Sequence, residues 1–392
     1  MNTEVNAKLS ENSLSKFAEL GIEGSTLKAI KSLKFSEPTE IQTKAIPMAM
    51  AGKDIIASSE TGSGKTLAFG AGILKQVKQG QGVQGLILTP TRELAEQVAE
   101  NLKIFANRMP LKIAAVFGGA SINIQIKELK KAEIVVATPG RLLDHISRGT
   151  IRLNKVATLV LDEADTMFDM GFINDVEKII RVCPKNRQTL LFSATITREV
   201  SSLAKRHTKN AVDICTESYV DPGKLTQVCY DVSSSSKFPL LVHLLKNEET
   251  ELSMVFCNTR RITDLVTKKL RESGISAKAI HGGFSQSKRQ QTIKHFHAKK
   301  VPVLICTDVA ARGLDINGVS HVFNYDIPKD GKQYIHRIGR TARAGKVGKA
   351  ISILSKRDED NFSRVVWENA LVVDKMKMPD LRKPQVRPSY NQ

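Results

Sequence analysis

The sequence predicts an α/β protein of two tandem lobes, each a mainly parallel sheet with helices on both faces. Three observations predict it. The 392 residues exceed one ordinary domain and suit about two, each able to bury its own core. Short apolar runs of strand length recur through both halves of the chain, separated by helical stretches such as 93–105 and 172–182. The pattern weakens once, across residues 208–237, where Asp221-Pro222-Gly223 and the serine run 233–236 interrupt it. The expected division is a first lobe over 1–215, a linker over 216–224, a second lobe over 225–374 and a flexible basic tail over 375–392.

In the first lobe, residues 54–58 form a β-branched run that reads as a buried strand, and 67–74 read as a helix. Between them lies Ser59-Glu60-Thr61-Gly62-Ser63-Gly64-Lys65-Thr66. Gly62 and Gly64 permit a tight turn, so the backbone N–H groups and the positive end of the helix converge on one spot that suits a triphosphate. Lys65 supplies a mobile cation for the outer phosphates, and the Thr66 hydroxyl a magnesium ligand. Ser59 is small enough for the turn.

Further apolar runs each end in a polar signature. Run 86–89 leads to Pro90-Thr91-Arg92, and 134–138 to Pro139-Gly140-Arg141. Run 159–161 leads to Asp162-Glu163-Ala164-Asp165, and 190–192 to Ser193-Ala194-Thr195. Ligands bind parallel sheets at the carboxyl ends of the strands, where these signatures fall. Hydrolysis of a γ-phosphate needs a carboxylate to hold Mg²⁺ and a group to orient water, and the Asp162–Glu163 pair can supply both. Asp162 is assigned to the metal and Glu163 to the water; helix capping is the alternative use of the same acids.

The second series of apolar runs comprises 254–257, 277–280, 303–307, 321–325 and 350–354. It lacks a glycine cradle and paired acids at a strand end, so this lobe is not expected to hydrolyse a nucleotide alone. Its His336-Arg337-Ile338-Gly339-Arg340-Thr341-Ala342-Arg343 spaces three arginines at helical intervals, so that one short helix aims them at one target; arginine's planar fork suits phosphate oxygens.

Composition narrows the partner. The net charge is +19, about +7 on residues 1–215 and +12 on 216–392. Such an excess on folded lobes points to a polyanion, most simply nucleic acid. No apolar run approaches the roughly 18 residues of a membrane span, and the N-terminus lacks the blocks of a signal peptide. A cytosolic monomer is expected, with no membrane partner. The five cysteines, without any Cys-x-x-Cys pair, read as buried reduced thiols.

From about Phe17 to Leu354 the chain resembles the DEAD-box RNA helicases, a family with tandem RecA-like domains. Asp162-Glu163-Ala164-Asp165 matches the motif that names the family. Phe35-Ser36-Glu37-Pro38-Thr39-Glu40-Ile41-Gln42 resembles its adenine-reading motif, with Phe17 as the isolated upstream aromatic. The Gln42 amide offers a donor and an acceptor that match adenine N6 and N7, and an aromatic ring can stack on the base. The resemblance implies ATP and Mg²⁺ as ligands, Arg340 and Arg343 as fingers reaching the γ-phosphate across the cleft between lobes, and Asp315 on the ribose. It implies RNA contacts from Pro90, Thr91, Arg92, Gly118, Gly119, Thr138, Gly140, Arg141, Thr259, Arg260, Gln286, Arg289 and Thr307. Ser193 and Thr195, with Arg337, would couple nucleotide state to RNA binding; tying the strand end to the backbone is the alternative use of the two hydroxyls.

The expected activity is RNA-stimulated ATP hydrolysis that locally separates short duplexes or remodels RNA–protein complexes. RNA contacts would be largely to the backbone, with protein partners or RNA structure supplying selectivity. An ATP-gated RNA clamp would use the same residues, and a DNA translocase would share the cradle and the fingers. A GTPase would need a guanine-reading Asn-Lys-x-Asp segment, which the sequence lacks.

Overall fold

The computed structural model describes residues 15–33, 35–59, 62–216, 223–311, 314, 316, 318–342 and 346–381. The chain divides into two compact units, residues 1–218 and 219–392. The first holds a seven-stranded sheet of β1 (Ile55–Ser58), β2 (Gly85–Leu88), β3 (Ile113–Val116), β4 (Ile134–Ala137), β5 (Thr158–Leu161), β6 (Gln188–Ser193) and β7 (Val212–Cys215), in the order β3-β4-β2-β5-β6-β1-β7. Every neighbouring pair is parallel.

Such short strands hold because both faces are apolar. Ile87, Val136, Val160 and Leu190 enter one core cluster, whereas their neighbours Leu86, Val135, Leu159 and Leu191 enter a second one. Helices Lys65–Gln76 and Arg92–Phe105 cover the first cluster with Phe69, Ile73, Val98 and Leu102. Helices Pro139–Ser147, Ile173–Val182 and Arg198–His207 cover the second with Leu142, Ile179 and Leu203.

The second unit holds β8 (Leu225–Asp231), β9 (Leu252–Phe256), β10 (Ala277–Ile280), β11 (Val303–Cys306), β12 (Val319–Asn324), β13 (Gly348–Leu354) and β14 (Asp374–Met376), in the order β10-β11-β9-β12-β13-β8-β14. Adding seven to each strand of the first sheet reproduces this order, so the second unit repeats the topology of the first. Its strands are likewise parallel and alternate between two cores, with Val255 and Ile305 on one face and Met254, Phe256 and Leu304 on the other.

Four expectations need correction or fall outside this description. The tail expected from Lys375 begins as a strand, because β14 pairs with β8 at the sheet edge and Lys375 forms an ion pair with Asp231; proline and basic composition beyond it hid that short segment. All five cysteines are free, yet Cys215 is exposed and only the other four are buried. Ala342, which the sequence alone presents as an ordinary small residue of the arginine motif, has a φ of 54° that puts an L-residue in the left-handed region favouring glycine. Most of the expected linker, residues 217–222, lies outside the described residues.

Candidate functional site

In the first sheet the strand order itself sorts the signatures. The cradle follows β1, Ser193 ends β6 and Asp162 follows β5, and these three strands are neighbours. Pro90-Thr91-Arg92, Thr138–Arg141 and Gly118-Gly119 follow β2, β4 and β3, which form the other half of the sheet. At about 4.8 Å between strands, the cradle and Asp162 rise from strands roughly 10 Å apart, with β6 between them.

The cradle turns on Gly62 and Gly64, whose φ values are 86° and 93°. A side chain at Gly64 would also collide with Gln42, because an added Cβ would lie 2.3 Å from the Gln42 amide nitrogen. Lys65 is buried, and its Nζ donates to the Ser59 carbonyl at 2.9 Å. The Ser59 and Ser63 hydroxyls meet at 2.6 Å, so the serine fits the turn and braces it. Thr66 is half-buried at the start of the helix, and Thr61 lies outside the described residues.

Gln42 is bound into this loop. Its Nε2 donates to the Gly64 carbonyl at 3.1 Å, and its Oε1 accepts from the Thr39 N–H at 3.1 Å. Each end of the amide keeps one further hydrogen-bonding position. The Thr39 hydroxyl donates to the Ser63 carbonyl at 2.7 Å, a contact that sequence reasoning missed. The Thr-x-x-Gln pattern of a capping box was the available signal. Phe17 is fully buried in the core, with its ring centroid 6.5 Å from that of Phe35. Phe35, the outer ring of the pair, is 37% exposed.

Asp162 and Glu163 are both buried. Desolvation raises the Asp162 pKa to about 6, against the opposing pull of Lys65. Its Oδ1 accepts from the Glu163 N–H at 3.0 Å. Glu163 has φ of 52°, and its Oε1 is buried with no hydrogen-bond partner. Asp165 is a hub that sequence reasoning left without a role. Its Oδ2 accepts from the Thr195 N–H at 3.0 Å and hydroxyl at 2.8 Å, and its own N–H donates to the Ser193 hydroxyl at 3.1 Å. The acid turn after β5 and the Ser193–Thr195 turn after β6 are therefore one bonded unit.

On the other half of the sheet, Thr91 caps helix Arg92–Phe105, and its hydroxyl accepts from the Leu94 N–H. Arg92 lies against Gly118 and Gly119; a Cβ on Gly119, whose φ is 84°, would fall 2.2 Å from its guanidinium. Arg141 donates to the Ala120 carbonyl and to Gln125 Oε1, both at 3.0 Å. Gln125 also meets His145 Nε2 at 3.0 Å and donates to the Phe117 carbonyl. Burial and then Arg141 hold the His145 pKa below the usual histidine value.

The second unit repeats this half-site on β9, β10 and β11. Thr259 caps helix Arg260–Glu272, and Arg260 lies beside Gly282. His281 Nδ1 accepts from the Gly283 N–H at 3.1 Å, so its Nε2 carries the proton toward Asp264 at 3.0 Å. Gln286 opens helix Gln286–His297, with Arg289 half-buried one turn on. Thr307 follows β11. No glycine cradle follows β8.

The single helix expected to aim three arginines is corrected. Helix Gly331–Ile338 ends before Arg340, because Gly339 closes it. Arg337 is 1% exposed and points inward, its fork bonded to both Asp308 oxygens at 2.6 and 2.7 Å. Arg340 is buried, donating to the Leu314 carbonyl at 2.7 Å. Arg343 and Asp315 lie outside the described residues.

Comparison with known proteins matches this arrangement. The DEAD/DEAH box helicase pattern matches residues 39–203, and the helicase conserved C-terminal domain matches 236–345. CshA, an ATP-dependent RNA helicase of Listeria monocytogenes, is 44% identical over 375 residues, covering 95% of this chain and 71% of its own. A DEAD box protein of known structure from the hyperthermophile Methanococcus jannaschii is 44% identical, with 92% of this chain and 99% of that one covered and a TM-score of 0.56. S. cerevisiae Dbp5 bound to RNA and ADP BeF3 is 32% identical, with 94% and 97% covered and a TM-score of 0.85. The chain belongs to the DEAD-box family of ATP-dependent RNA helicases.

Proposed function

We propose that the chain couples RNA-stimulated ATP hydrolysis to the local separation of short RNA duplexes or the remodelling of RNA–protein complexes, with roles set by strand position. The observation that carries this division is the sheet order. Nucleotide chemistry falls on β5, β6 and β1, strand binding falls on β3, β4 and β2, and within the nucleotide half Asp165 ties the acid turn after β5 to Thr195 after β6.

In this reading the loop 62–66 and Lys65 hold the phosphates, and Gln42 reads adenine with its remaining donor and acceptor. Glu163, through its unpartnered oxygen, orients the attacking water. The residues fit a divalent cation: Asp162 is a buried carboxyl whose pKa desolvation raises to about 6 against the pull of Lys65, and the next residue, Glu163, has a buried Oε1 with no hydrogen-bond partner. Among the described residues no group of three or more acidic, histidine or cysteine side chains could hold a metal. That suits Mg²⁺, which keeps waters and takes further ligands from nucleotide phosphates. Asp162 and Thr66 would hold it, and its charge would stabilise the transferring phosphoryl group.

The second unit lacks a cradle and contributes Arg340 and Arg343 to hydrolysis. To reach a phosphate, Arg340 must release the Leu314 carbonyl. RNA is held mainly through its backbone. Dbp5 has been solved with Gle1 and Nup159, which supports protein partners as a source of selectivity here. The protein works in the cytosol as a monomer.

Glu163→Gln tests the reading. It should keep ATP and RNA binding and abolish turnover; parent-like turnover would overturn the assignment. ATPase rates of the parent with RNA, with DNA of matched sequence and without nucleic acid complete the test, because equal stimulation by both strands would favour a DNA translocase.

A further inference from the structure

We infer that a lysine-lined groove at the free edge of the first sheet is a second phosphate-backbone site, taking the part of an RNA strand that runs beyond Gly118, Gly119 and Arg141. The inference rests on the reading that those residues bind RNA. β3 is the outermost strand of that sheet. Beside its amino end lies an open groove of about 710 Å³, lined by Lys103, Lys112, Lys127, Lys130 and Lys131, with Glu128 the only acid among the lining residues. All five lysines are exposed, and none makes a side-chain hydrogen bond or ion pair among the described residues.

Ordinary helix chemistry accounts for part of this. Lys103 and Lys127 sit in the last turns of their helices and Lys130 is a C-cap, where cations complement the helix dipole. Lys112 precedes β3 and Lys131 follows the cap, so neither is explained that way. Residues 101–131 carry six basic side chains and one acid, a local excess of the kind that polyanion sites use.

Position selects the polyanion. β3 runs from the groove at Ile113 to Val116, and Phe117 alone separates it from Gly118 and Gly119. Helix Ile122–Leu129 runs back from that turn to Lys130 and Lys131, and its eight residues span about 12 Å. The groove and the strand-binding turn are thus opposite ends of one strand and one helix, so a strand leaving the turn along this edge meets lysines and almost no acid. An acidic peptide could use the same charges, with Leu111 and Ile113 taking an apolar side chain. That occupant would have no reason to adjoin the strand-binding turn.

The test compares the parent with the triple variant Lys127→Gln, Lys130→Gln, Lys131→Gln, using single-stranded RNA of about 6 and about 20 nucleotides over a range of salt. Affinity for the long strand should fall, and its log–log salt dependence should become shallower by about 0.7 per lysine that meets a phosphate, roughly 2 in total. Affinity for the short strand and the ATPase it stimulates should stay at the parent's level. Lys103→Gln with Lys112→Gln, on the other wall, should act in the same direction. An unchanged salt dependence with the long strand overturns the inference. So does an equal loss with both strands, and so does loss of poly-glutamate binding without loss of RNA binding, which would assign the groove to an acidic protein. Failure of the parent to bind the short strand would instead remove the reading on which the inference rests.

Discussion

Arg337→Ala should destabilise the second unit before it touches any phosphate chemistry. The guanidinium is 1% exposed and joins the ends of three strands. Its Nε and Nη2 hold both Asp308 oxygens after β11, and Nη2 also donates to Asn258 Oδ1 at 2.9 Å after β9. Nη1 donates to the Asp326 carbonyl at 2.5 Å and to Asn324 Oδ1 at 3.3 Å at the end of β12. Truncation leaves a mostly buried carboxylate, a carbonyl and two amides without their donor. Removing one partner of a buried ion pair costs about 3–5 kcal/mol. For a unit of this size each kcal/mol lowers the melting temperature by about 2–4 °C, so calorimetry should show a drop of roughly 6–20 °C. Arg337→Lys keeps the charge but loses the fork, and should fall between the alanine variant and the parent. A nucleotide analogue should still stabilise the first unit of both variants. If Arg337→Ala melts within about 2 °C of the parent and yet loses RNA-stimulated ATPase, the side chain is a chemical contact and the structural argument is wrong.

Three other outcomes follow from the same geometry. Asp162 has its folded pKa raised to about 6, so in the ligand-free protein its contribution favours folding below the ordinary value of 3.8 and is lost as pH rises through about 6. Cation-assisted ATP binding needs the ionised form, so ATP affinity with Mg²⁺ should weaken as pH falls below about 6; a flat titration between pH 5 and 8 would contradict this. Thr195→Val removes a hydroxyl bond to Asp165 worth about 1.5–3 kcal/mol and leaves the N–H bond. It should lower the stimulation of ATPase by RNA more than it lowers ATP affinity, and parallel losses in both would count against the bonded unit. Gln42→Ala strips partners from the Gly64 carbonyl and the Thr39 N–H, so competition binding should show weaker ATP affinity and a smaller preference over GTP.

The fold was legible because its signals are local. Four-residue apolar runs such as 134–137 read as strands buried on both faces, and each ended in a polar signature at the strand end that faces ligand. Glycines 62 and 64 mark the cradle in the sequence itself, since the turn there needs a left-handed backbone that glycine adopts freely. What the sequence hid were bonds between distant segments. Nothing local shows that Asp165 will be claimed by Thr195, thirty residues on, or that Gln42, expected to read adenine, will also brace the cradle loop. The arginine series failed for a related reason. Spacing at i, i+3 and i+6 implies one face only while the helix continues, and Gly339 ends it, which sends Arg337 into the strand ends and Arg340 to Leu314. Burial at Phe17 was equally hard to read, because an aromatic beside a ligand motif also fits a core.

The repeated topology explains why the units differ where they do. Each parallel sheet presents a row of strand ends, and the row is the same in both: a capped helix with arginine at its start after the third strand from the edge, and a glycine pair after the edge strand. On the proposed assignment, the half that binds a repeating polymer can be duplicated without change, because a phosphate backbone offers the same group at every step. The half that performs chemistry cannot, since one γ-phosphate needs one cradle and one pair of acids. In the second unit the positions that follow β8 and β12 are free of that demand. The acid that follows β12, Asp326, is buried like Asp162, but its Oδ2 accepts from the Asn258 N–H at 3.0 Å, and an Arg337–Asp308 bridge occupies the neighbouring strand ends. Polar groups at these strand ends are thus kept unsatisfied where a ligand must complete them and satisfied where none does.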